Sequence, residues 1–164
     1  MGGAAGGYHA AMIATYLNDH LAGATVGVEL ARRARGENEG SELGALLAEL
    51  TAEIEQDRET LREVMAALGV GPDRLKQSLA WGGEKLGRLK PNGSVFSYSP
   101  LSRLVELEAL ALGVSGKAAA WRLLGELDDP RLAGFDFQAL AVRADHQLER
   151  LEPRRLEAGR EALR

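Results

Sequence analysis

Between residues 43 and 68 the apolar positions recur at alternating steps of four and three: Leu43, Leu47, Leu50, Ile54, Leu61, Val64 and Leu68, with Asp57 as the one break. Steps of this kind put all eight side chains on one stripe of an α-helix. The preceding segment carries a matching seam, Ile13, Leu17, His20, Ala24, Gly27, Ala31 and Ala34, interrupted by His20. If the chain reverses near Asn38, His20 and Asp57 lie equally far from the turn. Two antiparallel helices then bring both ionisable residues to one depth.

Local signals bound the elements. Helix one is expected from about His9 to Arg35, where Arg32, Arg33 and Arg35 suit the negative end of the helix dipole. Helix two is expected from the Ser41 cap to Leu68, stopped by Gly69 and Gly71-Pro72. Helix three opens on Ser99 and Pro100, turns Leu101, Leu104, Val105, Glu108, Ala111 and Leu112 inward, and is expected to bend or divide near Val114-Ser115. Helix four begins near Asp136, faces the core with Phe137, Leu140, Ala141, Ala144, Leu148 and Leu151, and kinks at Pro153. No sustained alternation of β-branched residues argues for a sheet, so the fold class is all-α, a four-helix bundle.

Residues 1–8, rich in Gly and Ala, read as a flexible N-terminal tail, and 9–164 as a single bundle domain. The connection from Gly69 to Tyr98 is too long for a simple turn. A short helix over Asp73–Trp81 is expected within it, followed by a basic surface loop containing Lys85, Arg88 and Lys90. Its length favours a crossover along the bundle.

Composition narrows the chemistry. With no Cys among 164 residues, disulfides, thiolate metal sites and Cys nucleophiles are excluded. Twenty basic residues interleave with 24 acidic ones for a net charge of -4, and aromatics make up only 5%, so neither nucleic acid nor an anionic membrane is an expected partner. No apolar run is long enough to span a bilayer, and residues 1–12 lack the pattern of a secretory signal. A cytoplasmic location is expected.

The candidate chemistry lies in the ionisable residues that interrupt the seams. His20 and Asp57 are the central pair, Glu108 joins them from helix three, and Asp145 and Glu149 stand at the edge of helix four. Asp19, Glu53, Glu106 and His146 are weaker candidates. A buried carboxylate or imidazole requires a partner, and two arrangements provide one. In the first, Asp57 accepts a hydrogen bond from His20 and fixes helix register, with Glu108 joining through water or Tyr16. In the second, His20, Asp57, Glu108 and Asp145 or Glu149 hold an Fe, Mn or Zn ion with nitrogen and oxygen ligands. Acid-base catalysis by His20 lacks a nucleophile, since Ser99 serves as a cap and Ser94 and Ser97 lie in a turn-rich stretch. His9 is expected at the surface, and Trp81 and Trp121 as packing anchors.

From about His9 to the C-terminus, the inward-facing carboxylates on four helices and the long central connection resemble the ferritin-like four-helix superfamily. The di-metal motif is degenerate or absent. Glu53 is followed three residues later by Gln56 rather than His, Arg143 precedes His146, and His146 precedes Glu149 in reversed order. The resemblance implies a ferritin-like bundle with a crossover.

For function, the residues point to a non-enzymatic protein with a structural or protein-interaction role. A homodimer or another protein partner is expected, since Ala22, Gly23, Gly27, Ala118 and Ala119 permit close helix contact. The alternative is a metal-binding carboxylate and histidine bundle with redox or storage function.

Overall fold

The computed structural model describes residues 3–72 and 98–164. Four helices make up the described residues: α1 (Gly3–Glu37), α2 (Glu42–Ala67), α3 (Pro100–Gly125) and α4 (Phe137–Ala162), with a 3-10 turn at Pro130–Leu132. None is long and apolar enough to cross a membrane.

Capping chemistry sets the boundaries. Ser41 Oγ accepts from the Gly44 amide at 3.0 Å, Ser99 Oγ from that of Ser102 at 3.1 Å, and the Asp136 carboxylate from that of Ala139 at 2.9 Å. Gly69 closes α2 with φ 72°, a left-handed conformation costly for other residues. One expected boundary changes: α1 begins at Gly3, so residues 3–8, expected as a tail, belong to a helix. α3 runs undivided through Gly113 and Gly116, one of the two forms expected, and α4 continues through Pro153 as expected. The short helix expected at Asp73–Trp81 lies outside the described residues, as do Ser94 and Ser97.

Contacts at the helix ends give the topology. Arg33 near the end of α1 meets Glu106 near the start of α3, whereas Leu17 shares the opposite cluster with Trp121, so α1 and α3 are antiparallel. Arg154 near the end of α4 reaches Glu42 at the start of α2 at 2.8 Å, which makes that pair antiparallel as well. With the two hairpins α1/α2 and α3/α4, the order is up-down-down-up, and α2 and α3 occupy a diagonal. Beyond α2, the Gly71 carbonyl accepts from Asn18 at 3.4 Å, while Tyr98, just ahead of α3, receives a hydrogen bond from Asn38 at the far end. A helix of 26 residues is roughly 39 Å long, so Gly71 and Tyr98, the described residues nearest the ends of α2 and α3, lie at opposite ends of the bundle.

The core forms two apolar clusters. One gathers Val28, Leu47, Leu50, Leu107 and Leu151; the other gathers Leu17, Val64, Met65, Trp121 and Phe137. The predicted seam of α2 is buried, apart from the partly covered Leu43. α3 is rotated from the expected face, because Leu104, Glu106, Leu107, Leu110, Val114 and Trp121 are buried, whereas Leu101, Leu112 and Glu108 face out.

Gly44 shows where the fold tolerates no side chain. A Cβ there runs into the Asn38 carbonyl, whereas one on Gly113 meets nothing within 4 Å. Gly44→Ala is therefore expected to lower stability by about 2 kcal/mol through overpacking, and Gly113→Ala to raise it by about 1 kcal/mol through helix propensity. Urea denaturation of the two variants checks the opposite signs.

Candidate functional site

Asp57, 2% exposed at the middle of α2, is the central charge of the bundle. One carboxylate oxygen accepts from Arg143 of α4 and the other from Lys117 of α3, and Gln147 Nε2 adds a third donor at 3.2 Å. Gln147 uses both ends of its amide. Its oxygen accepts from Lys117 Nζ at 2.5 Å, and its nitrogen also donates to Glu53 at 3.0 Å. Glu53 in turn receives Arg150 at 2.5 Å, and Arg143 reaches Gln56 at 2.9 Å. The lysine spans the diagonal of the bundle. Long arginines of α4 bridge to α2, where the two backbones make few close approaches.

Burial and pairing act against each other here. Burial pulls the Lys117 ammonium below the ordinary lysine value despite the opposing attraction of Asp57. Burial pushes the Glu53 carboxyl up, but hydrogen bonds from Arg150 and Gln147 outweigh it and hold the group below its ordinary range. A second buried carboxylate, Glu106, accepts from Arg33 Nε at 2.7 Å and from the Tyr98 hydroxyl at 2.8 Å, and burial pushes the Tyr98 phenol up to about 12.

Beside the Asp57 cluster is a cavity of about 310 Å3 between α1, α2 and α3. Ile54 and Leu61 of α2 and Leu110, Val114 and Trp121 of α3 make its apolar walls, and His20, Asp57 and Lys117 supply polar atoms. Gly23 and Gly27 of α1 and Gly113 and Gly116 of α3 line it too, and a Cβ on any of them meets nothing within 4 Å. Small residues on both helices keep the space open.

The expected site residues are distributed otherwise than the seams suggested. His20 and Asp57 line the same cavity, but His20 is not among the donors to Asp57; it packs edge-on against Tyr16 with ring centroids 4.5 Å apart. Burial lowers the His20 pKa, with Asp19 opposing. The expected pair fails because Lys117, Arg143 and Gln147, all of greater reach, converge on Asp57 first. Glu108 faces solvent against Arg155 at 3.3 Å, and Asp145 is bound by Arg122 at 2.6 Å. Glu149 and His146 flank a surface groove with Arg143 and Arg150, and His9 is exposed. Among the described residues no three His, Asp or Glu side chains gather to hold a metal ion.

The donor set therefore does not fit the Fe, Mn or Zn site expected from the sequence. Two cations stand on Asp57 where further anionic or imidazole ligands are required. Lys117, Arg143 and Gln147 were the residues missed. Arg143, Gln147, Arg150 and Arg154 follow one another at heptad spacing in α4, facing Glu42, Glu53, Gln56 and Asp57 of α2, and that pattern is the signal the sequence offered. Comparison with protein-family models, curated proteins and solved structures finds no match.

Three outcomes follow. Asp57→Ala leaves Lys117 and Arg143 without their carboxylate and is expected to cost about 3 to 5 kcal/mol, with much of the loss recovered when Lys117→Met is added. The same cycle run with His20→Ala should be additive within about 0.5 kcal/mol, as measured by urea denaturation. Because the folded-state pKa of Glu53 is depressed, its contribution is present above the ordinary value of 4.5 and lost as pH falls through the folded value. The stability gap between wild type and Glu53→Gln should accordingly close on acidification, which thermal melts across that range measure.

Proposed function

We propose that this chain is a non-enzymatic bundle of ferritin-like connectivity that acts by association with a second copy of itself. The connectivity is supported by the up-down-down-up order and by Gly71 and Tyr98 lying at opposite ends of the bundle. A non-enzymatic role is supported by the condition of the central acid among the described residues, since Asp57 ties helices together through Lys117 and Arg143 and is not free to act as a base.

Self-association rests on one observation, the outer face of α3. Leu101, Leu112 and Leu123 are exposed, Leu112 to 74%, and they repeat at intervals of three helical turns, so they form one line along the helix. Leu112 stands midway between the other two. A two-fold axis through Leu112 would set it against its own copy and place Leu101 against Leu123 at both ends, as an isologous contact requires. Charges beside the line are already paired, Glu108 with Arg155 and Arg122 with Asp145, which makes the rim compatible with a like surface.

Sedimentation and light scattering test this reading. The wild type should run at twice the chain mass, and Leu112→Glu at the chain mass with unchanged helix content. Leu156→Glu, on the exposed face of α4, should leave the dimer intact. A wild type that stays monomeric at concentrations on the order of 100 μM defeats the proposal.

A further inference from the structure

The cavity between α1, α2 and α3 has a property that self-association does not use. It is mostly apolar yet open, and water inside it would find few partners away from its polar edge. At about 310 Å3 it has roughly twice the volume of the engineered cavity of about 150 Å3 that accepts one benzene-sized ring. That is room for two fused rings.

Its polar groups restrict the ligand further. Trp121 is 2% exposed and lines the cavity, and its indole N–H has no acceptor among the described residues. A buried donor in that state is a cost that an oxygen acceptor on a ligand removes. Asp57 and Lys117 pair with each other, and the other two charged residues along the cavity, Asp19 and Arg58, are of opposite sign, so the lining carries no net formal charge to hold an ion. We propose that the cavity is a binding site for a small, uncharged, largely apolar molecule of about bicyclic size that carries one hydrogen-bond acceptor oxygen, received by the indole N–H of Trp121. Burial also lowers the pKa of His20, which disfavours a charged imidazole on the cavity wall.

The glycines make the entrance testable. Gly27 and Gly113 both line the cavity, and a Cβ on either meets no atom within 4 Å. Titration calorimetry on the full-length protein would use three probes of one shape: 2-acetonaphthone, its hydrocarbon isostere 2-isopropenylnaphthalene, and 2-naphthoate. The ketone should bind one per chain with Kd on the order of 10 μM, the hydrocarbon about tenfold more weakly, and the carboxylate more weakly than either. Gly27→Leu combined with Gly113→Leu should abolish binding while the melting temperature holds or rises. Trp121→Phe should remove the preference for ketone over hydrocarbon, whatever it does to stability.

Absence of saturable ketone binding overturns the proposal, whichever group fills the space, as does binding that survives the double Gly variant in a folded protein. Equal affinity for ketone and hydrocarbon in the wild type overturns the assignment of Trp121. Tighter binding of the carboxylate overturns the uncharged class. The oligomer measurements are independent of all these outcomes, because Leu112 does not line the cavity.

Discussion

A single carboxylate with three donors from two other helices determines how this bundle closes. Asp57 is unfavourable in an apolar interior unless its charge is matched, and here it is matched by Lys117 across the diagonal and Arg143 from the adjacent helix. Apolar packing alone leaves sliding and rotation of similar helices nearly equal in energy. A buried charge that must meet particular partners does not, so the cluster selects one register for α2, α3 and α4 together.

The same constraint explains where the bundle is dense and where it is not. α3 and α4 pack closely, as do α1 and α2, whereas α2 and α4 stand apart and are joined by Arg143, Arg150 and Arg154 reaching to acids of α2. Between α1 and α3, small residues replace long ones and, among the described residues, no side chain fills the middle. A polar seam on one side and a glycine-lined hollow on the other are two ways of accommodating helices that do not touch evenly.

Much of this was legible in the sequence, and the failures have physical causes. The caps at Ser41 and Ser99, the helix start near Asp136, the stop at Gly69 and the seam of α2 depend on local chemistry and a narrow apolar stripe, and each is found where the residues place it. The face of α3 was misread because that helix is apolar nearly all round, so Glu108 was placed inside and Glu106, the carboxylate that is buried, ranked only as a weaker candidate. The His20 and Asp57 pair was inferred from equal depth in one hairpin. Depth alone does not choose a partner, and the cations that engage Asp57 come from α3 and α4, whose rotation no single helix reveals. The hollow was hidden for a related reason, since glycines that weaken a helix read as flaws until the opposing glycines are seen across the gap.

Gln147 carries a consequence of its own. A carboxamide accepts at one end and donates at the other, and here the accepting end meets an ammonium while the donating end meets two carboxylates. Turned over, the same group would set like against like at every contact. Of the two orientations of this amide, the ammonium and the two carboxylates around it admit only the observed one, so the cluster fixes a side chain at the midpoint of α4 as firmly as it fixes the helices.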